Sequence, residues 1–191
     1  MRAGFADPVH ESQRTFRGVL DAMAHPGRIV TIDTALVPPA PLHASTAALA
    51  LTLLDFETAL WVDIMVSSEA RDWLRFHAGV AIVNDPAQAS FAIVADARQL
   101  PSLDAFSLGT DERPERSTTV VVQVDGLEPR DGHRLTGPGI ADEAWLTVRG
   151  VPQTFWRALR DNHGRFPRVV DVLLTAGYRL AALPRTTLVE D

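Results

Sequence analysis

The spacing of apolar and polar residues changes several times along this chain, and each change marks an expected element. Asp7-Pro8 begins a helix, with the aspartate as N-cap and the proline at the first helical position. Val9, Phe16, Val19, Leu20 and Met23 then fall on one helical face. His25-Pro26-Gly27 ends this helix, because proline stops helices and glycine turns the chain. Residues 28–33 alternate and predict a strand. The prolines at 38, 39 and 41 predict a loop. Residues 45–55 are nearly continuous Ala, Leu and Thr, which predicts a buried helix, and residues 59–66 predict an interior strand. Ser68 is placed to cap a helix reaching His77, with Glu69 and Asp72 in a first turn where the helix dipole favours acids. Residues 80–83 and 91–95 are short apolar runs on either side of the Asn84-Asp85-Pro86 turn, and both predict strands.

The second half is less regular. Residues 100–117 have no clear period, and the charges between Asp111 and Arg116 predict a solvated face. Residues 118–124 form a strand rich in Val and Thr. The stretch Leu135-Thr136-Gly137-Pro138-Gly139-Ile140 combines two glycines with a proline, so it predicts a rigid turn with accessible main chain. The chain is expected to pivot on this turn, between the strand-like residues 118–125 and the helix-like residues 152–162. Pro152 starts that helix and Gly164 closes it. Residues 169–175 and 178–183, separated by Ala176-Gly177, predict a hairpin. Strands alternate with helices first and hairpin signals follow, an order that predicts one α/β domain over residues 1–191. Its mixed sheet would be covered by helices on both faces.

Composition changes this picture mainly by what it excludes. The chain has no cysteine, so it has no disulfide, thiol nucleophile, thiolate zinc site or cysteine-held iron–sulfur cluster. It has no lysine either: all 18 basic residues are arginine. A Schiff-base lysine and a Walker-type phosphate lysine are therefore excluded. The formal net charge of −6 argues against broad nucleic-acid binding. No apolar run approaches the roughly 20 residues that span a bilayer. Residues 1–8 lack the apolar core of a secretory signal, so the expected compartment is the cytoplasm.

Candidate chemistry is sparse. The six histidines show no i, i+4 pair of the kind that holds zinc, and no metal or cofactor is expected. Ser45, Ser67, Ser90 and Ser117 lack a nucleophile-elbow context. Asp171 lies within an apolar strand, where a carboxylate needs a partner; Arg185 or a backbone amide would serve, and a ligand-facing role is the alternative. Thr136, Gly137 and Gly139 offer a backbone platform for an anion or a partner, and Arg185, Thr186 and Thr187 offer a guanidinium fork with two hydroxyls. These seven residues are the candidate site. No catalytic residue is expected among them.

Several of these stretches occur together in one known family. Phe16-Arg17 through Ala22-Met23 to Pro26-Gly27 is followed by Leu74-Arg75-Phe76-His77, then by Gly109-Thr110 with Pro114-Glu115. Next come Leu135 through Ile140, Phe166-Pro167 with Asp171, and Leu183-Pro184-Arg185-Thr186-Thr187. In this order the chain resembles the PhnH family, a component of the bacterial carbon–phosphorus lyase system for phosphonate breakdown. One position departs from the family pattern: Val169 stands where a glycine usually precedes the aspartate by two residues. The resemblance implies a three-layer α/β/α sandwich, similar to pyridoxal-phosphate-dependent transferases but without the cofactor. It implies a homodimer in isolation and a core complex with subunits G, I and J. The PhnH component, together with the G, I and L components, is linked to forming ribose 1-alkylphosphonate 5-triphosphate from ATP and a phosphonate, while radical cleavage belongs to the J component. A supporting subunit without covalent chemistry and a phosphate- or phosphonate-binding catalytic subunit are both compatible with this resemblance.

Overall fold

A computed structural model describes residues 1–190. The chain runs α1 (Pro8–Ala24), β1 (Val30–Thr31), α2 (Ala44–Leu53), β2 (Ala59–Val62), α3 (Ser68–Ala78), β3 (Ala81–Val83), β4 (Phe91–Val94) and β5 (Thr119–Gln123). It continues through β6 (Gly126–Thr136), β7 (Ala144–Arg149), α4 (Gln153–His163), β8 (Asp171–Ala176), β9 (Arg179–Leu183) and β10 (Leu188–Glu190). Seven strands form one sheet in the order β1-β9-β8-β5-β4-β2-β3, and β10-β6-β7 form a second, antiparallel sheet. In the large sheet β3, β2, β4, β5 and β8 pair in parallel, while β9 runs against β8 and β1. The mixed sheet follows the expectation. The small sheet does not.

Local chemistry explains the helix ends. The Asp7 carboxylate accepts from the His10 amide at 3.2 Å, and Pro8 occupies the first turn of α1. α3 is capped by Ser67 rather than Ser68, its hydroxyl accepting from the Ala70 amide at 3.2 Å. α2 has no side-chain cap. Ser45 instead donates to the Gly177 carbonyl through both its amide and its hydroxyl, each at 2.9 Å, which seats the helix start on the β8–β9 turn.

The two faces of the large sheet carry separate cores. Leu60, Val62, Ile93, Val121 and Leu173 face α1, α2 and α3. Val94, Val120, Val122, Val172 and Leu174 face the other way. There they meet Phe155, Trp156 and Leu159 of α4 and also Leu127, Leu135, Leu146 and Val189 of the small sheet. The expected helical cover on both faces is thus corrected on this side, where one helix shares the work with three strands. The turn at residues 135–140 correspondingly joins β6 to β7, not a strand to a helix. The Glu-Pro-Arg-Asp-Gly stretch inside β6 hid that strand from a pattern reading. A register shift between Glu128 and His133 lets the polar residues bulge outward.

Two other boundaries and one helix face differ. Only residues 30–31 of the expected strand at 28–33 pair with β9. β2 stops at Val62, and residues 63–66 turn around the Asp63 side chain. In α1, Val19 is buried, but Val9, Phe16 and Leu20 are exposed, so the apolar positions of that helix split between two faces.

Candidate functional site

The sequence candidates gather at the amino edge of the large sheet. Asp171 opens β8 beside Thr119, the first residue of β5, and Arg185 follows the end of β9. The carboxylate meets the Arg185 guanidinium at 2.5 Å, and the Arg185 amide donates to the same carboxylate at 2.7 Å. The guanidinium also donates to the Pro114 carbonyl at 2.6 Å and to the Ser117 hydroxyl at 2.8 Å. Both side chains are largely buried, at 18% and 12% exposure. This is a fully dressed internal ion pair, as the costly burial of Asp171 requires. It joins the tail to the 114–117 turn, and the guanidinium is committed to protein acceptors.

The glycine turn lies close by. Gly139 has φ +85°, and a Cβ there would stand 2.2 Å from the Ala24 carbonyl oxygen, so backbone packs where a side chain would be. Gly137, at φ +129°, lies against the Thr186 carbonyl in the same way, at 2.7 Å from its would-be Cβ. Residues 135–140 are therefore wedged between the end of α1 and residues 186–187, while Pro138 and Gly139 remain exposed. Thr187 is buried, and its hydroxyl has no partner among the described residues. The structure brings Gly137 to Thr186 and Asp171 to Arg185. It does not aim the Arg185 fork at open solvent.

An open cleft of about 480 Å³ lies at the opposite, carboxyl edge, over the ends of β2, β4 and β5. In open parallel sheets this edge is where ligands bind, because the loops that leave the strands diverge there. Asp63 organises the cleft from below. Its carboxylate is buried and accepts four backbone amides: Met65 and Val66 on one oxygen, Ala95 and Asp96 on the other, at 2.8–3.2 Å. Burial pushes the Asp63 carboxyl above its ordinary range, against these four bonds. Gln123 does similar work. It accepts the His43 amide at 2.6 Å and donates to the Pro41 and Ala95 carbonyls at 3.0 and 3.4 Å.

Beside Gln123, the polar side chains of the cleft are His43, Asp96, Arg98 and Asp125. Arg98 grips Asp96 with two bonds of 2.8 and 2.7 Å, and the resulting hydrogen bonds hold the Asp96 carboxyl below its usual value. Burial holds the His43 imidazole below its ordinary value, only partly opposed by the Thr175 carbonyl and Asp125. None of these residues was among the sequence candidates. The available signals were a lone acid in Ala-Leu-Trp-Val-Asp-Ile-Met-Val and a lone amide in Val-Val-Val-Gln-Val. Such a polar residue in an apolar run must be satisfied by something.

These features define a mixed α/β protein with a sealed polar clamp at one sheet edge and an open polar cleft at the other. Among the described residues no helix is long and apolar enough to cross a membrane, and no three His, Cys, Asp or Glu side chains cluster to hold a metal. The model of the family described as bacterial phosphonate metabolism protein (PhnH) matches residues 3–190. The alpha-D-ribose 1-methylphosphonate 5-triphosphate synthase subunit PhnH of Rhizobium meliloti (strain 1021) is 41% identical over 187 residues, 97% of this chain and 94% of that protein. The putative C-P lyase subunit protein HtxG of Stutzerimonas stutzeri is 34% identical over 176 residues, 92% of this chain and 84% of that one. The chain belongs to the PhnH family.

Proposed function

We propose that this chain is a subunit of the carbon–phosphorus lyase core complex in organic phosphonate catabolism. It supports formation of ribose 1-alkylphosphonate 5-triphosphate from ATP and an alkylphosphonate, with no covalent chemistry of its own. The observation that carries this reading is the near end-to-end match to a relative named as a subunit of that synthase. In the same reading the chain is cytoplasmic, a homodimer in isolation, and joined in the complex by subunits G, I and J. The fold is a three-layer sandwich of the pyridoxal-phosphate transferase kind without the cofactor. Its support is the seven-stranded sheet with a single reversed strand, β9, inside it. The absence of lysine is compatible, since no internal aldimine can form.

The turn that carries Thr136, Gly137 and Gly139 is assigned to partner contact rather than to an anion cradle, with Asp171, Arg185, Thr186 and Thr187 bracing it from behind. What favours that assignment is the internal neutralisation of Arg185 beside an exposed, rigid Pro138-Gly139 turn. The test is co-expression with subunits G, I and J, followed by affinity capture and an assay with ATP, methylphosphonate and the L component. Co-purification, with synthase activity that depends on this chain, is expected. Failure to assemble, or turnover of both substrates by the isolated chain, would refute the reading.

A further inference from the structure

We infer that the carboxyl-edge cleft binds an uncharged, N–H-donating heterocycle of nucleobase size, and not a phosphate. This deepens the subunit reading and rests on it for its probe, because building a ribose 1-phosphonate from ATP releases the nucleotide's base. The cleft itself supplies three observations.

The first is charge. Asp96 and Asp125 face the cleft against Arg98 alone, and the Arg98 fork is already closed on Asp96 at 2.7 and 2.8 Å. A third carboxylate, Asp63, lies directly behind the Ala95 and Asp96 amides. A phosphate would meet acids with no uncommitted cation to receive it.

The second is the sense of the free hydrogen-bonding groups. The Asp125 carboxylate is exposed and makes no hydrogen bond or ion pair with a described residue. His43 Nδ1 stands 3.4 Å from the Thr175 carbonyl, which places the ring proton there and leaves Nε2 as an acceptor. Both groups accept, so a ligand that donates to them is matched, and the Arg98 N–H groups not spent on Asp96 can meet an acceptor on the same ring.

The third is shape. Pro41, Met65, Val124 and Val151 supply apolar wall, and about 480 Å³ is within the usual range of a small-molecule pocket. A flat ring with N–H edges uses wall and acceptors together, whereas a small ammonium ion would leave the wall empty.

The intact chain is titrated by calorimetry with adenine, with inorganic tripolyphosphate and, as an ammonium control, with ethylammonium. Saturable binding of adenine alone is expected, weakened about tenfold or more in Asp125→Ala, since a bond to a charged acceptor is lost. Asp125 is exposed, so this variant keeps the fold, which circular dichroism verifies. Absence of adenine binding, adenine binding unchanged in Asp125→Ala, or binding of tripolyphosphate or ethylammonium at the level of adenine would each overturn the inference. Co-purification with subunits G, I and J is scored separately. If the complex assembles and adenine does not bind, only this inference falls; if adenine binds and no complex forms, only the subunit reading falls.

Discussion

The two edges of the large sheet solve the burial of a carboxylate in opposite ways. At the amino edge Asp171 meets a guanidinium, and the pair is closed off by Pro114, Ser117 and the Arg185 main chain. At the carboxyl edge Asp63 meets only backbone amides, and the loops those amides belong to are left standing around an open cleft. A charged partner seals a site, whereas amides shape one. The difference teaches where function can reside: the region with the more eye-catching charged residues is the one with nothing left to offer a ligand.

The comparison is broken most severely by removing half of the clamp. Asp171→Ala leaves Arg185 buried without its counter-ion and is expected to destabilise the protein by about 3–5 kcal/mol, read as a lowered denaturation midpoint. Next is Gly139→Ala, which forces a Cβ toward the Ala24 carbonyl at a positive φ; a loss of about 2–4 kcal/mol is expected in the same measurement. Asp63→Asn keeps the size of the side chain but replaces one acceptor oxygen by a donor facing two amides. It is expected to cost about 2–3 kcal/mol and to raise hydrogen exchange at residues 63–66 or 95–96. Asp125→Ala, at the open rim, is expected to change stability by less than about 0.5 kcal/mol. If Asp125→Ala proved as damaging as Asp171→Ala, the contrast between the edges would be wrong.

The smallest effect concerns pH. Burial lowers the His43 pKa in the fold below its unfolded value, so the neutral ring is the form the folded state prefers. The unfolded state therefore binds more protons between the two values, and the contribution of His43 is full above the unfolded value of 6.5 and lost as pH falls through the folded one. The difference in midpoint between the wild type and His43→Gln is accordingly expected to be larger at pH 8 than at pH 5. Parallel urea titrations at the two pH values measure it.

The parallel core was legible in the sequence because strands buried on both faces read as unbroken apolar runs, as in residues 119–124 and 91–94. The helix that follows Asp7-Pro8 was legible from its cap, and the hairpin of β8 and β9 from Ala176-Gly177. The small sheet was hidden because β6 carries Pro129, Gly132 and a bulge, which destroy the alternation that marks a strand. The Asp171–Arg185 pair could be foreseen because an acid in an apolar run demands a partner. The same reasoning applied to Asp63 would have exposed the cleft, but its partners are amides, which carry no signature in side-chain pattern. His43 and Asp125 come together only through Gln123 and the crossing of parallel strands, a juxtaposition set by topology rather than by spacing.

The strap from Leu183 to Leu188 leaves the large sheet as β9 and enters the small one as β10, with Arg185 pinned midway. Its Thr187 amide folds back to the Pro184 carbonyl at 2.8 Å, so it has little slack. The registration of one sheet over the other is thus held by this guanidinium together with the shared core of Leu127, Leu135, Leu146 and Val189 and the Arg179 donation to the Leu127 carbonyl at 3.0 Å. A binding partner that gripped β10 would pull directly on that pin, carrying its load from the small sheet to the amino edge of the large one.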